Sequence, residues 1–403
     1  MAKTMVITRN DWKVSILRTF DEIENVREIW QKMQQNEPSA QVNADYDRYL
    51  SVLKAGGDDV QPYVILITEK GDLTAMVIAR IEMRQISCRL GYLNILKPRM
   101  RCLSIIYGGI LGQPTKETSV VLIRELMNIL SRGEVDTIEF NHIRMESPLY
   151  QLSRKMPGVF SRDYFPIIEP HWVMTIPKNI ESFYQTISSG SRKQYKKCIR
   201  RLEREFPGQV RYQIYSQENH FDEAIKYVSL ISEKTYQYSM GCGFVNNCFT
   251  RTLLQKAAQK GWLRIHILFI GSEACAFEIW LRYKKIYFGH GIGFDPKWKK
   301  WRVGTVLFLK TIEILCADTA VEFIDFGFGD ADYKRSYADI QWQEASVYIF
   351  ARRFYPSCIN ILRTCVAAMN AVLEYVLNKS GLTNRIKRFW RNRLEEKSSE
   401  KEP

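Results

Sequence analysis

Several stretches of the chain hold residue types whose spacing could do chemistry. The first, IDFGFGDADYKRSYA, runs from Ile324 to Ala338. It opens as an apolar strand and ends in charge, with Asp325, Asp330, Asp332, Tyr333 and Lys334 close together. An ionisable group as deep in an apolar strand as Asp325 needs a partner. Gly327 and Gly329, with Asp330 and Asp332, suit a turn. The carboxylates could also hold Mg²⁺, but the D-x-D-x-D-G order is missing, and Lys334 and Arg335 supply competing positive charge. A plain turn explains the glycines. A functional corner also explains Asp325.

The second stretch is DPKWKKWRVGTVLFLKTIEIL. A strand, IYFGHGIGF, ends at Asp295 and Pro296, a basic loop follows, and Gly304 and Thr305 open an apolar helix. A helix start offers free N–H groups and the positive end of the dipole. Lys297, Lys299, Lys300 and Arg302 surround this one, so the expected ligand is a phosphate or pyrophosphate. The alternative is a basic surface loop before an ordinary helix. His290 sits between glycines at the strand end, either as a structural side chain or with room for a ligand beside it. The third stretch, SGSRKQYKKCIRRLERE, reads as a helix carrying Arg192, Lys193, Lys196, Lys197, Arg200, Arg201 and Arg204 around Tyr195. It suits nucleic acid or, equally, plain solvation. The DFG tripeptide is no kinase motif, because no HRD-type loop separates it from the glycines of FGHGIG.

The elements that must position these residues follow an α/β pattern. The runs PYVILITEK and LTAMVIARIEMR, joined by KGD, predict a hairpin. SVVLIRELMNILSRG predicts a helix closed by Gly133, and VDTIEFNHI a buried strand. The second half replays this order. ILFIGSEACAFEIWLRYKK stands to ILITEKGDLTAMVIARIEMR as LFLKTIEILCADTAVEFIDF stands to LIRELMNILSRGEVDTIEF, with Ile138 matching Ile324 and Leu122 matching Phe308. The pattern predicts an internal duplication of one α/β unit. The expected domains are 1–175, 176–355 and a helical tail, 356–403.

Composition bounds the partners. The chain has 403 residues, 46% of them hydrophobic, and 58 basic against 44 acidic residues give a formal charge of +14. That favours anionic partners such as nucleic acid, a membrane surface or a polyphosphate. Nine cysteines occur without a CxxC pair, which argues for reduced thiols in the cytoplasm and against zinc. The N-terminus lacks the apolar run of a signal peptide. CVAAMNAVLEYVLN, interrupted by Glu374, reads as too short for a bilayer. The basic segment NRIKRFWRNRLEEK is expected to be a solvated helix or to touch a membrane peripherally.

Taken in order, IYFGHGIGF, VGTVLFLKTIEIL and EFIDFGFGDADYKRSYA resemble the GNAT superfamily of acetyltransferases. The likeness is strongest to the CelD-like, or cellulose-biosynthesis, group, whose D-F-x-x-G-x-x-x-Y-K pattern falls here on Asp325, Phe326, Gly329, Tyr333 and Lys334. SRKQYKK is similar to the start of that domain. The resemblance covers about residues 180–350. It implies two tandem GNAT-like domains, each a mixed, mostly antiparallel sheet flanked by helices. It further implies a cytoplasmic acyltransferase that uses acetyl-CoA or another acyl-CoA on a small-molecule or saccharide-linked acceptor. Lys300, Arg302, Val303, Gly304 and Thr305 would then hold the pyrophosphate and Gly291 N–H the thioester carbonyl. His290 or Asp325 would be the base, Tyr333 the acid, and Lys334 the holder of an anionic substrate. The usual R/Q-x-x-G-x-G/A loop is reduced here to KKWRVGT. Two other readings follow: a Fem-like transferase that uses aminoacyl-tRNA, and a non-catalytic module of a membrane-associated complex.

Overall fold

A computed structural model describes residues 11–37, 40–90, 93–112, 114–239 and 243–379. In chain order its strands are β1 (Trp12–Leu17), β2 (Val60–Glu69), β3 (Asp72–Gln85), β4 (Cys88–Leu90), β5 (Leu93–Leu96), β6 (Arg99–Leu111) and β7 (Thr137–Arg144). They continue with β8 (Ile167–Thr175), β9 (Val210–Tyr215), β10 (Leu263–Ile270), β11 (Glu273–Tyr283), β12 (Ile286–Phe294), β13 (Phe323–Phe328) and β14 (Ile340–Phe350). Two compact units emerge. Among the described residues, one comprises 11–169 together with 343–379, and the other is Pro170–Trp342.

In the first unit β1, β2, β3 and β6 form an antiparallel run, β6 crosses to a parallel β7, and β14 closes against β7. The expected hairpin between β2 and β3 turns at Lys70 and Gly71, both with positive φ (51° and 98°), as a two-residue primed turn requires. Both faces of the sheet are buried, so neighbouring residues serve opposite layers. Tyr63, Ile65 and Ile67 pack with Leu122 and Leu126 of the helix Lys116–Ser131, whereas Val64 packs with Trp30 and Tyr49.

The second unit repeats the plan. β9 to β12 form an antiparallel run, β12 crosses through the helix Val303–Cys316 to a parallel β13, and β8 lies antiparallel to β13. Leu268 and Ile270 pack beneath Val306 and Leu307 of that helix. Phe269, on the opposite face, meets the ring of Tyr227 from the helix Phe221–Ser232.

Two expectations need correction. The boundary falls at Glu169–Pro170 rather than after residue 175, and no domain edge lies at 355. The reason is β14, which pairs Glu344 with Arg144 and Phe350 with Thr137 and so returns the chain to the first unit. The apolar stretch near the C-terminus also begins earlier than expected. Within the helix Phe354–Lys379, residues Phe354–Leu373 are long and apolar enough to cross a membrane by length and composition. Their single charge, Arg363, is buried against Asp163 Oδ1 at 2.5 Å. The segment NRIKRFWRNRLEEK lies outside the described residues.

Candidate active site

The site is built where two parallel strands part. β12 pairs with β13 only from Ile286–Phe323 to Phe288–Asp325, yet β12 continues to Phe294. Just past the last pair the register with β11 shifts. Gly289 faces Trp280 and Gly291 faces Ile279, which leaves His290 as the extra residue of a β-bulge. A bulge re-aims a side chain and ends regular pairing. His290 is exposed there. The glycines after His290 differ in purpose. A Cβ on Gly293 would lie 2.6 Å from the Phe277 ring, so packing demands glycine. A Cβ on Gly291 would meet nothing closer than Ile279 Cδ1 at 3.8 Å, so its surface is open.

The end of β12 leads straight into the basic loop. Asp295 fixes the turn by accepting from Lys297 N–H (3.0 Å) and from Lys234 Nζ (2.7 Å). Trp298 and Trp301 anchor the short 3-10 turn Pro296–Trp301 against Phe206. Arg302 follows in the left-handed region (φ 53°, ψ 41°) as the N-cap of the helix Val303–Cys316, with no side-chain cap bond. The first N–H groups of an α-helix have no intrahelical acceptor. Here no cap side chain serves them, and the dipole adds positive potential. Gly304 has neither positive φ nor a crowded neighbour, since a Cβ would sit at an ordinary 3.5 Å from Phe294. With its amide turned to accept, Gln194 Oε1 takes Arg302 Nη1 (2.7 Å) and Nη2 (2.8 Å). This ties the helix Ser189–Glu205 to the mouth. On that same helix Arg192 Nε is buried with no hydrogen-bond partner. Not every expected cation faces the helix start. Lys297 is held by Glu273 at 2.8 Å, and Lys300 lies over the Trp301 ring.

The Asp325 corner departs from expectation. Asp325 is almost fully buried, and its Oδ1 accepts from Gly327 N–H (2.7 Å) and meets His171 Nε2 at 2.8 Å. His171 is itself buried and stacks on Trp342, with ring centroids 4.4 Å apart. Asp325 therefore anchors the turn and is not placed to take a proton from a substrate. Lys334 is likewise buried, and its Nζ donates to Phe328 O at 2.7 Å and Gly327 O at 3.4 Å. It braces the same turn rather than reaching for an anion. Gly327 and Gly329 both take positive φ (70° and 87°). Asp330 and Asp332 are bound by Arg335, so the carboxylates do not converge on a metal. Tyr333 stays partly exposed, edge-on to Phe326.

Sequence reading missed a buried network behind the bulge. Glu278 Oε2 accepts from Thr311 Oγ1 (2.7 Å) and Trp280 Nε1 (3.0 Å), and Thr311 Oγ1 lies 2.8 Å from His266 Nδ1. The Thr311 hydroxyl bridges Glu278 and His266, whose Nε2 is buried without a hydrogen-bond partner. Burial pushes the Glu278 carboxyl up to about 7 and the His266 imidazole down to about 3. The network pins the helix Val303–Cys316 to β11 beside the bulge. The Tyr337 hydroxyl, close enough to feel both Glu278 and Arg302, is pushed well above its usual range, chiefly by burial. The clue in sequence was the one that marked Asp325: an ionisable residue inside an apolar strand, as in ACAFEIW and LRIHILF.

Residues 189–335 match the protein family described as the acetyltransferase (GNAT) domain. No curated protein matches the chain. Among solved structures, FemX is similar with a TM-score of 0.51 at 8% identity, over 79% of this chain and 95% of that one. A tandem GNAT protein from the clavulanic acid biosynthesis pathway gives 0.49 at 7% identity, over 85% of this chain and 100% of that one. L-PGS from Bacillus licheniformis gives 0.47 at 14% identity, over 84% and 96%. Identities this low speak of fold alone. The stretch that carries the bulge, the basic loop and the Asp325 turn thus matches a GNAT domain, and the architecture is the mixed α/β sheet of that fold.

Proposed function

We propose that the second unit transfers an acyl group from an acyl-CoA, acetyl-CoA first among them, to an amine or hydroxyl acceptor. One observation carries the reading: the His290 bulge, where β12 leaves β13, leads directly to the uncapped helix start at Arg302–Thr305. The residues at that mouth fit a pyrophosphate. Uncapped N–H groups and a glycine with no packing reason both suit an anion. Acyl-CoA would supply a thioester whose C–S bond is exchanged for C–N or C–O.

In this reading Val303, Gly304 and Thr305 donate N–H groups to the pyrophosphate, and Arg302 adds charge. Gly291 N–H stabilises the negative charge that develops on the carbonyl oxygen. His290 takes the proton lost by the attacking acceptor, and Tyr333 gives one to the departing sulfur. A saccharide-linked or small acceptor, as in the CelD-like group, and a cytoplasmic location complete the reading. The cysteines among the described residues are all free.

Calorimetric titration with CoA tests the cofactor site. The wild-type chain should bind and Gly304→Glu, which puts a carboxylate at the helix mouth, should not. Equal affinity in the two proteins would sink the reading. The likeness to FemX favours a second reading, in which the donor is aminoacyl-tRNA and the basic helix Ser189–Glu205 holds the nucleic acid. That reading predicts no CoA binding, with tRNA binding that weakens steeply as salt rises.

A further inference from the structure

The helix Phe354–Lys379 in the first unit is amphipathic in the reverse sense from an ordinary surface helix. Asn360 and Arg363 face inward. Asn360 Nδ2 donates to Phe160 O and Arg162 O, both at 3.0 Å, while Arg363 pairs with Asp163 and donates to Phe165 O at 3.1 Å. Its outward stripe is apolar. Phe354, Cys358, Ile361, Cys365, Met369 and Val372 recur at spacings of four and three, and all are exposed. Phe354 is 88% exposed, and only 22% of the Phe354–Leu373 stretch is buried. The stripe runs for roughly 27 Å without an outward charge. The neighbouring Val159 and Phe160 add further exposed apolar surface.

We propose that this stripe seats the protein on an anionic phospholipid bilayer, with the helix lying in the interfacial plane. Two observations select a lipid surface. Basic residues rim the stripe at its start: exposed Arg352 lies two residues before Phe354, and Tyr355 O–H reaches Arg99 O at 3.1 Å, beside exposed Lys97, while Arg353 is paired with Asp136 at 2.9 Å. The sequence that follows the helix carries Arg385, Lys387, Arg388, Arg391 and Arg393 around Phe389 and Trp390. An apolar stripe with cationic residues at its start, followed in sequence by a basic segment, is the chemistry that inserts among acyl chains while pairing with headgroups. The inward ties of Asn360 and Arg363 hold the helix to its own unit, so it lies on the bilayer rather than crossing it. The proposal stands independently of the acyl-transfer reading.

Co-sedimentation of the full chain with vesicles of phosphatidylcholine plus phosphatidylglycerol, against phosphatidylcholine alone, tests it. Wild type should pellet with the anionic vesicles. Met369→Glu with Val372→Glu should weaken binding by at least about tenfold with an unchanged melting temperature. A Phe354→Trp reporter should be quenched by brominated acyl chains, a readout that does not depend on the double variant folding. Unchanged binding in the double variant would move the contact to the basic segment alone and overturn the proposal. So would an unquenched reporter, resistance to alkaline extraction, which marks a spanning helix, or a stripe-dependent dimer that ignores vesicles.

Discussion

Each unit contains a helix that follows an antiparallel run and leads into a parallel strand, and the two helices begin differently. Lys116–Ser131 starts with Thr115, whose side chain accepts from Thr118 N–H at 3.2 Å. Val303–Cys316 starts with an uncapped Arg302 after Lys299 and Lys300. The preceding strands differ in the same sense. In the first unit a Cβ on Gly108 would lie 2.3 Å from Gln41 Cβ, so a neighbouring segment covers the strand, whereas Gly291 is open. What the two share is a buried carboxylate in the parallel strand, Glu139 beside Ile138 and Asp325 beside Ile324. Glu139 accepts from Tyr348 O–H at 2.7 Å and pairs with Arg84 at 3.2 Å. The duplicated acid fastens the strand in both units, and the difference lies in whether the helix start and the strand before it are left open. A scaffold role present in both copies is poor evidence of catalysis, which is a second reason to read Asp325 as an anchor.

The comparison can be broken at the open site first. His290→Ala should lower kcat by about a hundred- to ten-thousand-fold while leaving CoA affinity and melting temperature in place. Turnover that survives would assign the base elsewhere. A smaller effect concerns the network that only the second unit carries. The folded state raises the Glu278 carboxyl from 4.5 to about 7, so it favours the protonated acid. That contribution is complete below about pH 4.5 and is lost as pH rises through 7, by up to roughly 3 kcal/mol. His266, lowered from 6.5 to about 3, acts oppositely, with its contribution present above 6.5 and lost toward 3. Glu278→Gln keeps an acceptor for Thr311 and Trp280. Its unfolding free energy relative to wild type should therefore rise between pH 5 and pH 7.5, as urea titrations would report, and a constant difference would refute the buried acid. Smallest is Thr115→Ala at the closed helix start, expected to cost about 1 kcal/mol with no change in CoA affinity. A lost affinity there would erase the distinction between the units.

Local patterns carried much of this into view from sequence. The β2–β3 hairpin, the helix after Thr115 and the basic helix mouth each depend on neighbours in sequence, through alternation, turn residues and dipole. The partner of Asp325 did not, because His171 lies 154 residues away and EPHWVM reads as an ordinary strand end. Glu278 was legible in type but not in consequence, since its partners Thr311 and His266 come from separate elements. The apolar stripe on Phe354–Lys379 was missed because Arg363 breaks the run in sequence and is neutralised only by Asp163 in space.

The return of β14 to the first unit also has a consequence for biosynthesis. Thr137 Oγ1 donates to Ile349 O across 212 positions of sequence. A ribosome therefore releases all of Pro170–Trp342 before it delivers the strand that completes the sheet begun earlier. The later-made unit is a continuous segment that can form as soon as it emerges, while the earlier-made one waits with β7 unpaired on that side. Vectorial synthesis thus delivers the second neighbour of β7 only after the whole of the other unit has left the ribosome.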